Sequence, residues 1–249
     1  MFSSITIKFQ TAPATPPPFS HFYTIGLQAS ADTLKVNFEL VYTDRVGFDP
    51  DEIEAEGFSQ NDDYTWAGQL DNVWAAELER LLGVTKSFAP VEEKDTEDYL
   101  EVEVVAQNAK QAGAPNNAAA WQYVGQELVQ AIYETAGRER PFEIALLRIS
   151  DGRRVSTKYV AAFASRQFTK IMTANAKTLP EKQPWEALES AMKTIYTPDY
   201  ITEEAIEKPP VRDGLYVQQP DGLWYELSVA VVEPPGGSNT LGALQKMFA

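Results

Sequence analysis

The sequence predicts an α+β fold in which a mostly antiparallel sheet, built from hairpins, packs against about four helices. Residues 34–43 alternate apolar and polar side chains, as a strand with one buried and one solvated face does. Short turn sequences separate several extended segments, which favours antiparallel pairing. Helical patterns separate groups of strands instead of following every strand. These three observations favour α+β over a doubly wound parallel sheet.

Three strands are predicted in the first part of the chain. Residues 4–10 and 22–30 alternate like residues 34–43, and the short polar stretch 29–33 suits a hairpin connection. Four prolines between residues 12 and 19 predict a rigid loop or a polyproline II segment, because proline cannot donate to a central ladder. A polyproline ligand for an SH3-like partner is the alternative interpretation of this loop.

Helices alternate with single strands in the middle of the chain. Asp71 is a suitable cap for a helix that reaches Leu82 and stops at Gly83. A half-buried strand follows at residues 100–104, and the polar residues 107–117 are interpreted as a connection. The clearest helix covers residues 118–136. Its predicted core face consists of Trp121, Val124, Leu128, Ala131 and Ile132.

The last part of the chain contains two predicted hairpins. Residues 142–150 form a strand, and Asp151-Gly152 suits the tight turn into a return strand that reaches about Phe163. Residues 160–172 fit either a strand or a helix. The second hairpin covers residues 214–227, and its alternation continues to Val231. Two further helices are predicted, one with Trp185, Leu188, Met192 and Ile195 on its core face and one capped by Asn239.

Length and composition limit the class of protein. The 249 residues fit one domain over 1–249, with a possible division near residues 107–117 into 1–107 and 118–249. The absence of cysteine excludes disulfides, thiolate zinc sites and cysteine catalysis. The N-terminus lacks the pattern of a signal peptide, and polar residues interrupt every apolar run. The sequence therefore predicts a cytoplasmic protein with no membrane segment.

The charge is unevenly distributed along the chain. The net charge is −15, and residues 49–107 alone carry 17 acids and three bases. Residues 138–170 carry eight bases and three acids. An acidic excess argues against nucleic-acid binding, which needs a positive surface for the phosphates. We expect either a basic protein partner or self-association between acidic and basic regions.

Most familiar catalytic motifs are absent. His21 is the single histidine, so a three-histidine zinc site and an HExxH motif cannot form. A catalytic triad would have to use His21 beside Ser20, and there is no nucleophile elbow or phosphate-binding glycine motif. Carboxylates such as Asp49 and Asp62 suit Mg²⁺ or Ca²⁺, but an EF-hand starting at Asp49 lacks its glycine. We predict no metal, no cofactor and no catalytic residue.

The leading functional hypothesis is a non-catalytic binding or assembly module with an acidic surface. Aromatic residues among the acids of 49–107 suit an interface with a basic protein. The alternatives are a carboxylate-based, metal-dependent hydrolase and a DNA-mimic inhibitor. The candidate partner-binding residues are Asp49, Asp51, Glu52, Asp62, Asp63, Tyr64, Trp66, Arg153 and Arg154.

Overall fold

The computed structural model describes residues 1–30, 33–92, 94–107, 109–236 and 239–248. The predicted α+β class is confirmed, since in these ranges every paired set of named strands is antiparallel and five α-helices accompany the sheets. The chain forms two compact units, Met1–Glu139 and Arg140–Ala249. Residues 107–117 lie inside the first unit. A single domain over 1–249 stays a prediction.

The first unit is a seven-stranded sheet with three helices. Its sheet order is β4-β3-β2-β1-β6-β7-β5. In chain order the elements are β1 (Ser4–Gln10), β2 (His21–Ala29), β3 (Thr33–Tyr42), α1 (Pro50–Ala55), β4 (Tyr64–Asp71), α2 (Val73–Val84), β5 (Phe88–Ala89), β6 (Tyr99–Ala106), β7 (Ala109–Pro115) and α3 (Ala118–Thr135).

The core of the first unit lies on one face of this sheet. The alternation of β3 is confirmed, because Leu34, Val36, Phe38 and Leu40 are buried while the residues between them are exposed. The helices α2 and α3 cover the buried face. The predicted core face of α3 is also confirmed, since Trp121, Val124, Leu128, Ala131 and Ile132 are all buried. Removing this apolar surface from water is the main favourable contribution to folding.

Several sequence predictions for the first unit were wrong. Residues 107–117 are not a plain connection, because β7 pairs with β6 through its backbone although its side chains are mostly exposed. The strand β4 and the helix α1 were not predicted. Gly83 does not stop α2, which continues to Val84. Asp71 lies before the helix, where its carboxylate accepts the Val73 N–H at 2.9 Å.

The second unit contains a six-stranded sheet in the order β11-β10-β9-β8-β13-β14 and a two-stranded sheet of β12 and β15. In chain order its elements are β8 (Phe142–Ser150), β9 (Arg153–Ala162), β10 (Gln167–Ala174), β11 (Lys177–Gln183), α4 (Ala187–Tyr196), β12 (Asp199–Tyr200), a 3₁₀ turn (Thr202–Glu204), β13 (Gly214–Gln218), β14 (Trp224–Glu226), β15 (Val231–Val232) and α5 (Thr240–Lys246).

Turn chemistry decides where the strands of the second unit end. Asp151 and Gly152 both have positive φ (51° and 71°), which confirms the predicted tight hairpin between β8 and β9. The open question over residues 160–172 is settled as two strands, since a turn after Ala162 leads into β10.

Two predictions near the C-terminus were wrong. The alternation through Val231 is not one strand, because β14 ends at Glu226 and Ser228 turns the chain with a φ of 67°. The side chain of Asn239 does not cap α5. The Glu233 carboxylate instead accepts the amides of Thr240 and Leu241 at 2.6 and 2.9 Å. Within the described ranges, no helix is both long and apolar enough to cross a membrane.

Candidate functional site

The predicted acidic residues fall into two groups, and the first group is used inside the fold. Asp49 caps α1, where its carboxylate accepts the Asp51 N–H at 3.0 Å. Asp63 accepts the N–H of Tyr42 at 2.8 Å. Asp62 accepts hydrogen bonds from Ser59 and pairs with an arginine. These three carboxylates therefore hold loops in place.

The second group of acids is open to solvent on α1. This helix has six residues, and its only buried side chain is Ile53. Its exposed carboxylates are Asp51, Glu52 and Glu54, and Glu56 follows at its C-terminal cap. None of the four forms an ion pair with a residue that the structure describes. Their charges are therefore not neutralised by an ion pair within these ranges.

Exposed apolar side chains lie beside these acids. Val46 is fully exposed, Phe48 is 43% exposed and Phe19 is 42% exposed. The ring of Phe19 meets that of Phe58 edge to face, with 5.6 Å between centroids, and the Phe58 N–H donates to the Ile53 carbonyl of α1. We call the set Phe19, Val46, Phe48, Asp51, Glu52, Glu54 and Glu56 the acidic-apolar surface.

The buried side chain of Arg45 links the loops that carry this surface. Its side chain is only 6% exposed, and it lies over the ring of Tyr42 at 3.8 Å and that of Phe58 at 5.0 Å. Nη1 donates to the Ser59 carbonyl at 2.6 Å and to Asp62 Oδ2 at 2.7 Å. Nε and Nη2 donate to the Pro18 carbonyl at 3.3 and 2.9 Å. The guanidinium thus ties the proline-rich loop to the loop that follows α1.

The environment of Asp62 matches its role as the counter-ion of Arg45. Partial burial acts to raise the pKa of Asp62. Hydrogen bonds from the Ser59 hydroxyl, the Arg45 guanidinium and the Ser59 amide outweigh this effect, so the pKa lies below its usual value. Sequence reasoning missed Arg45, because a single base in a loop carries no periodic signal.

Tyr64 belongs to a second cluster at the start of β4. Its ring centroid lies 5.4 Å from that of Tyr133 on α3, and both rings contact Phe38. The guanidinium of Arg138 lies 4.1 Å above the Tyr64 ring and 5.6 Å from the Tyr133 ring. Burial raises the pKa of Tyr133 to about 12, so this phenol is neutral at physiological pH.

The remaining predicted site residues do not join these clusters. The indole ring of Trp66 lies over Gly68 of the same strand, and a Cβ atom at position 68 would collide with that ring. Arg153 and Arg154 belong to the second unit, at the start of β9. Both residues are exposed, and Arg154 also donates to the Pro210 carbonyl at 2.9 Å. Within the first unit the predicted residues therefore fall into separate groups.

The structure gives no arrangement of metal ligands or of a catalytic triad in the ranges it describes. No group of three or more histidine, aspartate and glutamate side chains there could hold a metal ion. His21 Nδ1 lies 2.8 Å from the Phe19 carbonyl oxygen, and its ring packs against Phe9 and Tyr42. The Ser20 hydroxyl donates to the Thr43 carbonyl at 2.9 Å.

Fold and surface together define an α+β protein with two antiparallel units. One unit presents apolar and acidic side chains on a loop that Arg45 holds in place. No model of a protein family matches the chain. No curated protein and no solved structure matches it either.

Proposed function

We propose that the protein is a non-catalytic binding or assembly module whose acidic-apolar surface docks on a basic protein surface. The observation that carries this proposal is the position of exposed Val46 and Phe48 directly before the unpaired carboxylates of α1. Apolar side chains at the centre of an interface supply contact energy, and charges around them select the partner and speed association. The surface offers both.

The loop that carries these residues is pre-organised. Arg45 fixes it by four hydrogen bonds and by stacking on two rings. Ile53 anchors α1 from the inside. A loop that is ordered before it binds loses less conformational entropy on association, so more of the contact energy contributes to affinity. Binding residues on loops held by a rigid scaffold are common in proteins.

The carboxylate geometry favours binding over the two alternatives. A hydrolase needs convergent carboxylates, of which one has a raised pKa. Here Asp49 bonds to the first turn of α1, Asp63 to the end of β3 and Asp62 to Ser59 and Arg45, and the pKa of Asp62 is lowered. A DNA mimic needs an extended row of acids, whereas α1 is six residues, or about 9 Å, long.

The proposed partner is a protein and not a nucleic acid or a membrane, because a chain of net charge −15 repels anionic surfaces. A second copy of the chain is one version of such a partner, with its basic residues facing the acids of the first. A cytoplasmic location is part of the same proposal.

Binding to defined peptides tests the proposal. The probe is a fluorescent peptide of lysine and leucine, compared with a charge-reversed peptide of glutamate and leucine, and anisotropy measures the affinity. We expect only the lysine peptide to bind. The double variant Glu52→Gln/Glu54→Gln should weaken binding about two- to fivefold per charge, and Val46→Ser/Phe48→Ser about tenfold or more.

Matched controls come from the second unit. Glu203→Gln/Glu204→Gln removes the same charge from an exposed turn, and Val211→Ser removes an exposed apolar side chain. Both control variants should bind the lysine peptide like the parent. Equal loss of affinity in the control and test variants would show that only net charge matters, and binding of the glutamate peptide would overturn the proposal.

A further inference from the structure

The rings of Tyr64 and Tyr133 form a seat for a cation at the edge of the first unit. Their centroids are 5.4 Å apart with an angle of 56° between the ring planes, so two π-faces are available to one charge. Arg138 occupies this seat, with its guanidinium 4.1 Å above the first ring and 5.6 Å from the second.

The end of α3 places Arg138 there. Gly137 adopts a φ of 70°, the Arg138 N–H donates to the Tyr133 carbonyl at 2.9 Å, and the Gly137 N–H donates to the Glu134 carbonyl at 3.0 Å. This is the Schellman pattern, in which the second residue after the cap lies over the third-last residue of the helix. The backbone at the end of α3 therefore places the Arg138 side chain beside the two rings.

The side chain of Arg138 is held much less firmly than that of Arg45. The guanidinium of Arg45 is buried and hydrogen-bonded at each of its three nitrogens. Arg138 is exposed and forms neither a hydrogen bond through its side chain nor an ion pair with any residue in the described ranges. Within these ranges the Arg138 guanidinium is held only by its contacts with the two rings. A competing cation therefore has to replace only this weak interaction.

We propose that the Tyr64-Tyr133 pair binds an arginine or lysine side chain of the basic partner, and that Arg138 fills this seat until the partner displaces it. The inference rests on the proposed function for the basic nature of the partner. Two positive charges cannot share one small seat, so the incoming side chain competes with Arg138. The exposed Asp63 carboxylate, which directly precedes Tyr64 and accepts the Tyr42 N–H at 2.8 Å, favours a cation over a neutral group.

Titration with a small cation tests the seat directly. The probe is Nα-acetyl-arginine amide, added to protein with ¹³C-labelled tyrosines, and NMR follows the ring signals of Tyr64 and Tyr133. An exposed cation-π contact corresponds to about a two- to fivefold change in an equilibrium constant. Arg138→Ala should therefore bind the probe about two- to fivefold more tightly than the parent, with saturable shifts of both rings.

Two matched variants separate loss of the competitor from loss of charge. Arg140→Ala removes an exposed arginine two residues away and should behave like the parent. Arg138→Lys keeps a cation over the rings and should also stay close to the parent. If Arg138→Ala is poorly folded, Arg138→Gln replaces it, because glutamine keeps much of the stem without the charge.

A third variant examines the rings themselves. Tyr64→Leu in the Arg138→Ala background keeps an apolar side chain but removes one π-face, so the gain in probe affinity should disappear. Equal probe affinity in the parent and Arg138→Ala, or shifts that never saturate, would overturn the inference. The proposed function would survive that result if the lysine peptide still depended on Glu52 and Glu54.

Discussion

Arg45 shows how one buried charge can organise a surface that it does not itself present. Its guanidinium bonds to the carbonyls of Pro18 and Ser59 and to Asp62. Desolvating a charge is unfavourable, and a buried pair stabilises a protein only when all its hydrogen-bonding groups are satisfied. The stacking of Arg45 on Tyr42 and Phe58 adds cation-π attraction. The order of the acidic-apolar surface depends on this network.

The first prediction is a pH-dependent loss of stability on removing the partner of Arg45. Asp62→Asn should lower the free energy of unfolding by about 1.5–3 kcal/mol at pH 7, the range for hydrogen bonds to charged groups. The pKa of Asp62 is lowered in the fold. Its contribution is therefore complete above the unfolded-state pKa of about 4 and is lost as pH falls through the folded-state value.

Denaturant unfolding of the parent and Asp62→Asn between pH 7 and pH 3 measures this effect. The two stabilities should stay apart down to about pH 4 and begin to converge only as the pH falls further, towards the lowered pKa of folded Asp62. Asp51→Asn is the control, because Asp51 lies nearby but is exposed and unpaired. A constant difference between Asp62→Asn and the parent across this pH range would contradict the assigned role of the carboxylate.

At the scale of elements, periodicity predicted the helices and strands whose side chains face a core. The helix α3 and the strand β3 are examples, because burial forces apolar residues into the period of the element. The strand β7 was missed because its residues are mostly exposed and backbone pairing with β6 holds it. The strand β4 was missed because Gly68 interrupts its apolar face to make room for Trp66.

The second prediction concerns the packing of α3. Trp121 is fully buried, and its Nε1 donates to the Thr85 hydroxyl at 3.0 Å, which links α3 to the residue after α2. Trp121→Ala should lower the free energy of unfolding by about 3–5 kcal/mol, through lost apolar contact and a residual cavity. Urea unfolding monitored by circular dichroism measures it.

Two smaller changes identify the source of the loss at Trp121. Trp121→Phe keeps most of the apolar volume. Thr85→Ala removes the hydroxyl that accepts from Trp121 Nε1 and donates to the Leu81 carbonyl. Each change should therefore cost less than Trp121→Ala. An unfolding midpoint of Trp121→Ala equal to that of the parent would show that the helix face is not part of the core.

At the scale of the whole molecule, the excess of acid is confined to the first unit, because its 23 acids face eight bases whereas the second unit has 13 of each. The unpaired acids of α1 belong to the first unit, and the exposed Arg153 belongs to the second. The third prediction follows if the basic partner is a second copy. Arg153→Glu should weaken self-association, because it replaces a base that would face the acids of the other copy. The association should also weaken with salt, because the Debye length falls from about 10 Å at 0.1 M salt to about 3 Å at 1 M.

Sedimentation velocity at low and high salt measures this association. Arg154 is left unchanged, since its guanidinium donates to the Pro210 carbonyl and its replacement would also disturb the fold. Lys177→Glu, at an exposed position of β11, makes the same change of charge and serves as the control. A parent that sediments as a monomer at low salt would remove the second copy as the partner and leave the docking of other basic proteins unaffected.

The sequence by itself determined the α+β class, the antiparallel hairpin at Asp151-Gly152 and the core face of α3, because each depends on local backbone geometry or on a regular apolar period. Tertiary structure alone decided that Asp62 pairs with Arg45 and that Tyr64 meets Tyr133 and Arg138. These groups are distant or irregularly spaced in sequence. Only the folding of loops and helix ends onto the sheet brings these groups together, so no local sequence pattern could predict their contacts.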